Sequence, residues 1–216
     1  MNNALYTIKE EIMNAITHGL GVLLTIGFTI PILINAAKAG NSLKIIAFSV
    51  YMVCLTAMFL SSTLYHSITN LKAKKHLRLV DHCAIFICIA GTYTPILLLG
   101  LNGLLSSIML GVVWTIAILG IIIKIVSFKK TNLKGAEKFS IFLYLAMGWM
   151  SLIIAGSIVK QLGWSFFLYI CLGGILYSVG VYFYRNRKIK FNHAIWHLFI
   201  LAASASMFIG IAYYLG

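Results

Sequence analysis

Counting histidine as neutral, the chain runs from His82 to Ile123 for 42 residues without one acidic or basic side chain. A membrane-spanning helix needs about 20 largely apolar residues, so this run is long enough for two. The turn signal Gly100-Leu101-Asn102-Gly103 divides it. Comparable charge-free stretches predict further spans within 12–37, 45–71, 139–159, 161–184 and 191–216, which makes seven. Only 10% of the 216 residues are charged, against about 25% in a soluble domain. Too few charges remain to keep such a surface in water, so the bilayer is the solvent. The expected fold is all-α: a single seven-transmembrane-helix bundle over residues 1–216. The N-terminal run follows Lys9, Glu10 and Glu11 rather than a cationic segment and is too long for a signal peptide, so it is expected to be a retained span.

The formal charge of +13 would suggest a nucleic-acid partner in a soluble protein, but no basic stretch here is interleaved with aromatics, and none is expected. The cations lie between apolar runs, where they report orientation. With the N-terminus inside, the inner segments hold Lys9, Lys72, Lys74, Lys75, Arg78, Lys124, Lys129, Lys130, Lys134, Lys138, Arg185, Arg187, Lys188 and Lys190. The outer segments hold only Lys38, Lys44 and Lys160. A ratio of 14 to 3 predicts a cytoplasmic N-terminus and an external C-terminus in the plasma (cytoplasmic) membrane. This reverses the arrangement of G-protein-coupled receptors.

Cys54, Cys83, Cys88 and Cys171 all fall inside apolar runs without a C-x-x-C pair, so they read as small packing residues. Pro31 and Pro95 are expected to kink the outer ends of spans one and three. Ala202, Ser206 and Gly210 recur every four residues on span seven, a pattern that permits close helix contact.

Ionisable groups at membrane depth are costly and face a protein interior or a water cavity. Four groups stand out. Glu11-x-x-Asn14-x-x-x-His18 forms one stripe at the inner end of span one. Ser62-x-x-x-His66 closes span two, Asp81 opens span three, and His193-x-x-x-His197 opens span seven. All four fall in the inner leaflet, although the topology was set by Lys and Arg alone. Spans one, two, three and seven can therefore share a site.

The donor set suits zinc. His193 and His197, one turn apart, can grip one ion, and His66 from another helix completes a three-histidine set that leaves a position for water. Asp81 is placed to take or orient that water's proton, and Ser62 to hydrogen-bond a carbonyl oxygen. Plainer readings compete. An intramembrane histidine also serves helix–helix hydrogen bonding, and a His-x-x-x-His pair alone is a weak metal signal. His18 reads as a neighbour of the ligands or a packing residue. Glu11 also suits a helix N-terminus, and Asn14 a helix cross-link. His76 is expected in a solvated basic loop. His82 points about 100° away from Asp81 on a helix, so His76 and His82 are left outside the expected site. A proton or ion pathway is disfavoured because the outer halves carry no comparable acids or histidines.

At these residues the chain resembles the hemolysin III family, the bacterial branch of the progestin and adipoQ receptor family, itself related to alkaline ceramidases. The family's three motifs are matched by Glu11-x-x-Asn14-x-x-x-His18, by Ser62-x-x-x-His66 with Asp81, and by His193-x-x-x-His197. The resemblance covers nearly the whole chain. It implies seven helices with a cytoplasmic N-terminus and zinc held by His66, His193 and His197. It also implies Asp81 acting through bound water, with Ser62 nearby. Eukaryotic members are lipid-hormone or adipokine receptors with ceramidase-like activity; bacterial ones are named for a haemolytic effect and associated with membrane homeostasis. The leading expectation is a zinc-dependent hydrolase of lipid amides or esters, with membrane lipid as substrate or ligand. The alternatives are a non-enzymatic sensor with structural zinc and a pore-forming cytolysin.

Overall fold

The computed structural model describes residues 6–129 and 133–216, and every regular element among them is helical. Helix α1 spans Ile8–Lys38 and α2 spans Ser42–Ser67. Helix α3 spans Leu71–Pro95 and runs into a π-helical turn, Ile96–Gly100. Helix α4 spans Leu104–Lys129 and α5 spans Leu133–Trp149. A 3₁₀ turn, Met150–Ile154, links α5 to α6, Ala155–Arg185, and α7 spans Asn192–Leu215.

Large apolar side chains face outward along these helices, among them Ile16, Leu23, Phe28, Phe142 and Leu168. Water would not tolerate such a belt, and a bilayer requires one. The chain is a multi-pass membrane protein. Six helices among the described residues are long and apolar enough to cross a membrane, where seven were expected. The difference lies in residues 137–185, which form one helical run of 49 residues. Only Gly163, with φ 87° and ψ 166°, departs from helical geometry inside α6. The expected division at Lys160 is thus displaced by three residues, to the residue type that tolerates positive φ.

Packing is sequential. Each helix lies against the next, α7 closes back on α1, and α3 reaches α5 and α7 as well. Small residues allow the closest approaches. A Cβ on Gly91 of α3 would lie 2.5 Å from the Cβ of Cys54 on α2. The four cysteines are free, as their packing role predicts. On α7, Ser206 donates to the Tyr169 carbonyl at 3.0 Å, and Gly210 abuts the Tyr169 ring. Ala202, expected beside them, is exposed, and it is Ala203 that is buried.

Two boundaries differ from expectation. The basic stretch Lys72–Arg78 is not a loop but the first two turns of α3, because the Asn70 side chain caps the backbone amides of Lys72 and Ala73 at 3.1 Å each. His76 is therefore helical, though exposed, and its Nδ1 lies 2.9 Å from the Lys72 carbonyl. At the start of α1, Thr7 and Glu10 form a reciprocal capping box. Tyr93 from α3 reaches the Met147 and Gly148 carbonyls, 2.9 Å each, where α5 gives way to the 3₁₀ turn. Those carbonyls lose helical partners there, so the phenol satisfies what the break exposes.

Candidate metal centre

Helix α7 is aimed by its first residues. Phe191 adopts a left-handed conformation (φ 57°, ψ 23°) that non-glycine residues rarely take. The turn lets the Asn192 amide reach back to the Phe183 and Tyr184 carbonyls at 3.2 and 3.3 Å, tying α7 to the end of α6. His193 and His197 follow, one turn apart and on one face. His66 arrives from the last turn of α2. All three imidazoles are buried, and their ligand nitrogens lie within 4.8 Å of one another. The structure thus contains a three-histidine group able to hold a metal ion.

The tautomers follow from the partners. The Nδ1 of His66 is 2.6 Å from a Glu11 carboxylate oxygen. A carboxylate only accepts, so that nitrogen carries the proton and Nε2 keeps its lone pair. Nε2 of His66 is buried and finds no hydrogen-bond partner among the described residues. The Asn14 amide nitrogen, 3.4 Å from the same Nδ1, then meets no lone pair and makes only a contact. His197 Nδ1 donates to the Asn14 backbone carbonyl at 3.1 Å, with the Thr17 hydroxyl at 3.3 Å, so its Nε2 lone pair is free as well. The Nδ1 of His193 is also buried without a partner. Leaving such nitrogens unpaired costs about 1–3 kcal/mol each, and a cation among them removes that cost. The residues present therefore fit a three-imidazole metal site, and the Glu11–His66 pair is the carboxylate–histidine arrangement that orients metal ligands.

The two neighbouring glutamates have separate tasks. Glu10 serves the helix N-terminus, whereas Glu11 bridges His66 to Lys74, whose Nζ is 2.9 Å from its other oxygen. Lys74 also donates to the Tyr65 and Ile68 carbonyls at the end of α2. His18 stacks on His197 with ring centres 3.6 Å apart and planes 11° apart, and neither of its nitrogens has a partner among the described residues. Tyr6 closes the site from the N-terminal side, its ring centre 4.9 Å from that of His193 and 5.8 Å from that of His66. Burial first, and then the Tyr65 phenol, push the Tyr6 phenol above its ordinary value.

Asp81 and Ser62 line a narrow, largely apolar cavity of about 130 Å³ shared with His193 and His197. Along α3 its lining runs from Asp81 to Ile96, about 22 Å of helix. Ser62 Oγ is buried there without a partner among the described residues. Asp81 is not one of the grouped metal ligands; its carboxylate lies 3.3 Å from His82 Nδ1. His82, placed outside the site on angular grounds, faces the same cavity, because the lining face of α3 includes 81, 82, 85, 88, 89 and 92 and is broad enough for adjacent residues.

Lys74, Tyr6 and Thr17 escaped the sequence reading. Thr17 was within its reach, since it follows Asn14 by three on the same stripe. Lys74 and Tyr6 meet the site only through folding, and no spacing signals them.

Comparison with known proteins places this architecture. The family described as Haemolysin-III related matches residues 6–208. The chain is 47% identical to the Hemolysin-3 homolog of Bacillus subtilis over 210 residues, covering 97% of this chain and 96% of the relative. It is 44% identical to Hemolysin-3 of Bacillus cereus over 207 residues, covering 96% and 92%. Monocyte to macrophage differentiation factor of Homo sapiens is 33% identical over 174 residues, covering 77% of this chain and 69% of that protein.

Proposed function

The chain belongs to the haemolysin-III related family, and from that premise we propose that it is a zinc-dependent hydrolase of lipid amide or ester bonds in the plasma membrane. It works from the cytoplasmic leaflet as one seven-span domain with a role in membrane homeostasis. The seventh span comes from dividing the run 137–185 at Gly163. Undivided, 49 residues at about 1.5 Å each would make a rod of about 73 Å, more than twice the roughly 30 Å hydrocarbon core. The 14-to-3 partition of cations supports a cytoplasmic N-terminus and an external C-terminus.

The observation that carries the reading is the set of buried, unpartnered imidazole nitrogens converging beside a carboxylate and an apolar slot. His66, His193 and His197 hold the ion. Zinc there supplies Lewis acidity that polarises a carbonyl and makes water nucleophilic near neutral pH. Asp81 would accept the proton that water gives up and return it to the departing amine or alcohol as the carbonyl's bond to it breaks. The Ser62 hydroxyl donates to the carbonyl oxygen as negative charge develops on it. Glu11 and the Asn14 carbonyl hold two imidazoles in the tautomer that presents Nε2, and His18 backs His197. The slot takes the acyl chain and leaves the headgroup at the cytoplasmic face.

Purified protein is expected to contain about one zinc per chain and to cleave at least one member of a panel of ceramides, acyl amides and glycerolipid esters. Stoichiometric zinc with no cleavage across that panel, and an Asp81→Asn variant with an unchanged cellular phenotype, would sink the enzyme.

A sensor with structural zinc is favoured by one observation: Asp81 pairs with His82 rather than joining the imidazoles. In that case Asp81→Asn keeps function and His66→Ala unfolds the protein. The name of the Bacillus cereus relative, Hemolysin-3, supports a cytolysin instead. That reading requires liposomes holding the pure protein to leak with the metal removed.

A further inference from the structure

A second cavity, of about 230 Å³, opens on the same side of the bundle beyond Tyr6 and Tyr184. Four cations line it: Arg78 from α3, and Arg187, Lys188 and Lys190 from the turn between α6 and α7. One carboxylate opposes them, Glu10, and both the amide and the hydroxyl of Thr7 already occupy it at 2.8 Å. Among the described residues Arg187, Lys188 and Lys190 form no ion pair, and Arg78 has only a long contact, 3.8 Å, to Glu137. The turn that carries three of the cations is held in shape. Ile189 donates to the Asn186 carbonyl, Lys188 to the Asn186 side chain, and Asn192 to the Ile189 carbonyl, each at 3.3 Å.

A topology signal needs cations only somewhere in the inner loops. Here two segments far apart in sequence turn theirs toward one concave volume. Guanidinium forks and ammonium groups so gathered match the oxygens of a phosphate. The volume adjoins the metal centre: the Tyr6 and Tyr184 rings that line it lie 4.9 and 5.7 Å, centre to centre, from His193. Tyr184 lines the apolar slot too.

We propose that this basic cavity seats the phosphate of a lipid headgroup while the acyl chain lies in the slot beyond Tyr184. The substrate class is then a phosphate-bearing lipid whose scissile carbonyl is close to the phosphate. That assignment rests on the lipid-hydrolase reading, whereas the seat can be tested without catalysis.

The test is calorimetric titration of the full-length protein in a non-ionic detergent with non-hydrolysable probes. These are a short-chain ether-linked phosphatidic acid, the matching diether glycerol without phosphate, and inorganic phosphate. The ether phosphatidic acid is expected to bind about tenfold or more tighter than either of the others. Arg187→Gln/Lys190→Gln should weaken it about tenfold, and Arg187→Lys/Lys190→Arg, which keeps the charge and the fold of the turn, should restore most of the loss. Lys38→Gln/Lys160→Gln removes the same charge from the opposite end and should change binding less than about twofold. Equal losses in the two neutralised variants, or equal binding of phosphatidic acid and diether glycerol, overturn the seat. Inorganic phosphate binding as tightly as the lipid overturns the headgroup as its occupant. Binding of the ether phosphatidic acid by the zinc-loaded wild-type protein, with no cleavage of any lipid in the panel, would leave the seat standing and remove the hydrolase alone.

Discussion

The two ends of the helical bundle are stabilised in different ways. At the end that gathers the first turns of α1 and α7, the last turn of α2 and the early turns of α3, buried polar groups dominate. Two imidazole protons there are placed by an acceptor, that of His66 by the Glu11 carboxylate and that of His197 by the Asn14 carbonyl. At the other end the contacts are apolar and the hydroxyls bond inward to their own helices, as Thr92 and Thr94 do to the Cys88 and Ala90 carbonyls. Long-range polar ties there join Lys44 Nζ to the Gly216 carbonyl and the Asn102 backbone amide to the Gln161 side chain, 2.8 Å each, and both are exposed. Shape maintains one end and hydrogen-bond bookkeeping the other, so the two should fail separately.

Removing His193 and His197 together should have the largest effect. Metal content, read by elemental analysis, is expected to fall from about one equivalent to near zero. Glu11→Gln keeps the shape but gives His66 a weaker, uncharged partner. It should lower zinc affinity in a chelator competition by about 10- to 100-fold with little change in thermal midpoint. Gly91→Ala sharpens the contrast from the packing side. Its Cβ collides with Cys54, so a loss of about 1–3 kcal/mol in stability is expected, with saturating zinc content unchanged. Lys44→Gln should be smallest, under about 0.5 kcal/mol in the same stability measurement. A Glu11→Gln protein that bound zinc normally, or a Gly91→Ala protein that lost it, would erase the distinction between the ends.

The sequence showed the two ends unequally. Apolar runs are visible because the bilayer imposes a length on them, and His193 and His197 are visible because a four-residue step is a local property. Lys74 was hidden, since its bond to Glu11 links residues 63 positions apart. The start of α3 was misplaced because Lys72, Lys74 and Lys75 look like a loop, while the capping side chain of Asn70 decides that they are helical. His82 was left out because a single angle between neighbours stood in for the width of a whole helical face. The seat of the cations beyond Tyr6 had no signature beyond charge, as Arg78 and Arg187 are 109 positions apart in sequence and meet only when the helices between them pack.

The ligand set has a consequence for biosynthesis. One imidazole of the group leaves the ribosome with the second helix, and the other two come with the last, so a partly inserted chain holds His66 without its two companions. An ion at this group would be captured only at the end of assembly, when α7 docks against α1 and α6, and its occupancy would report that insertion is complete.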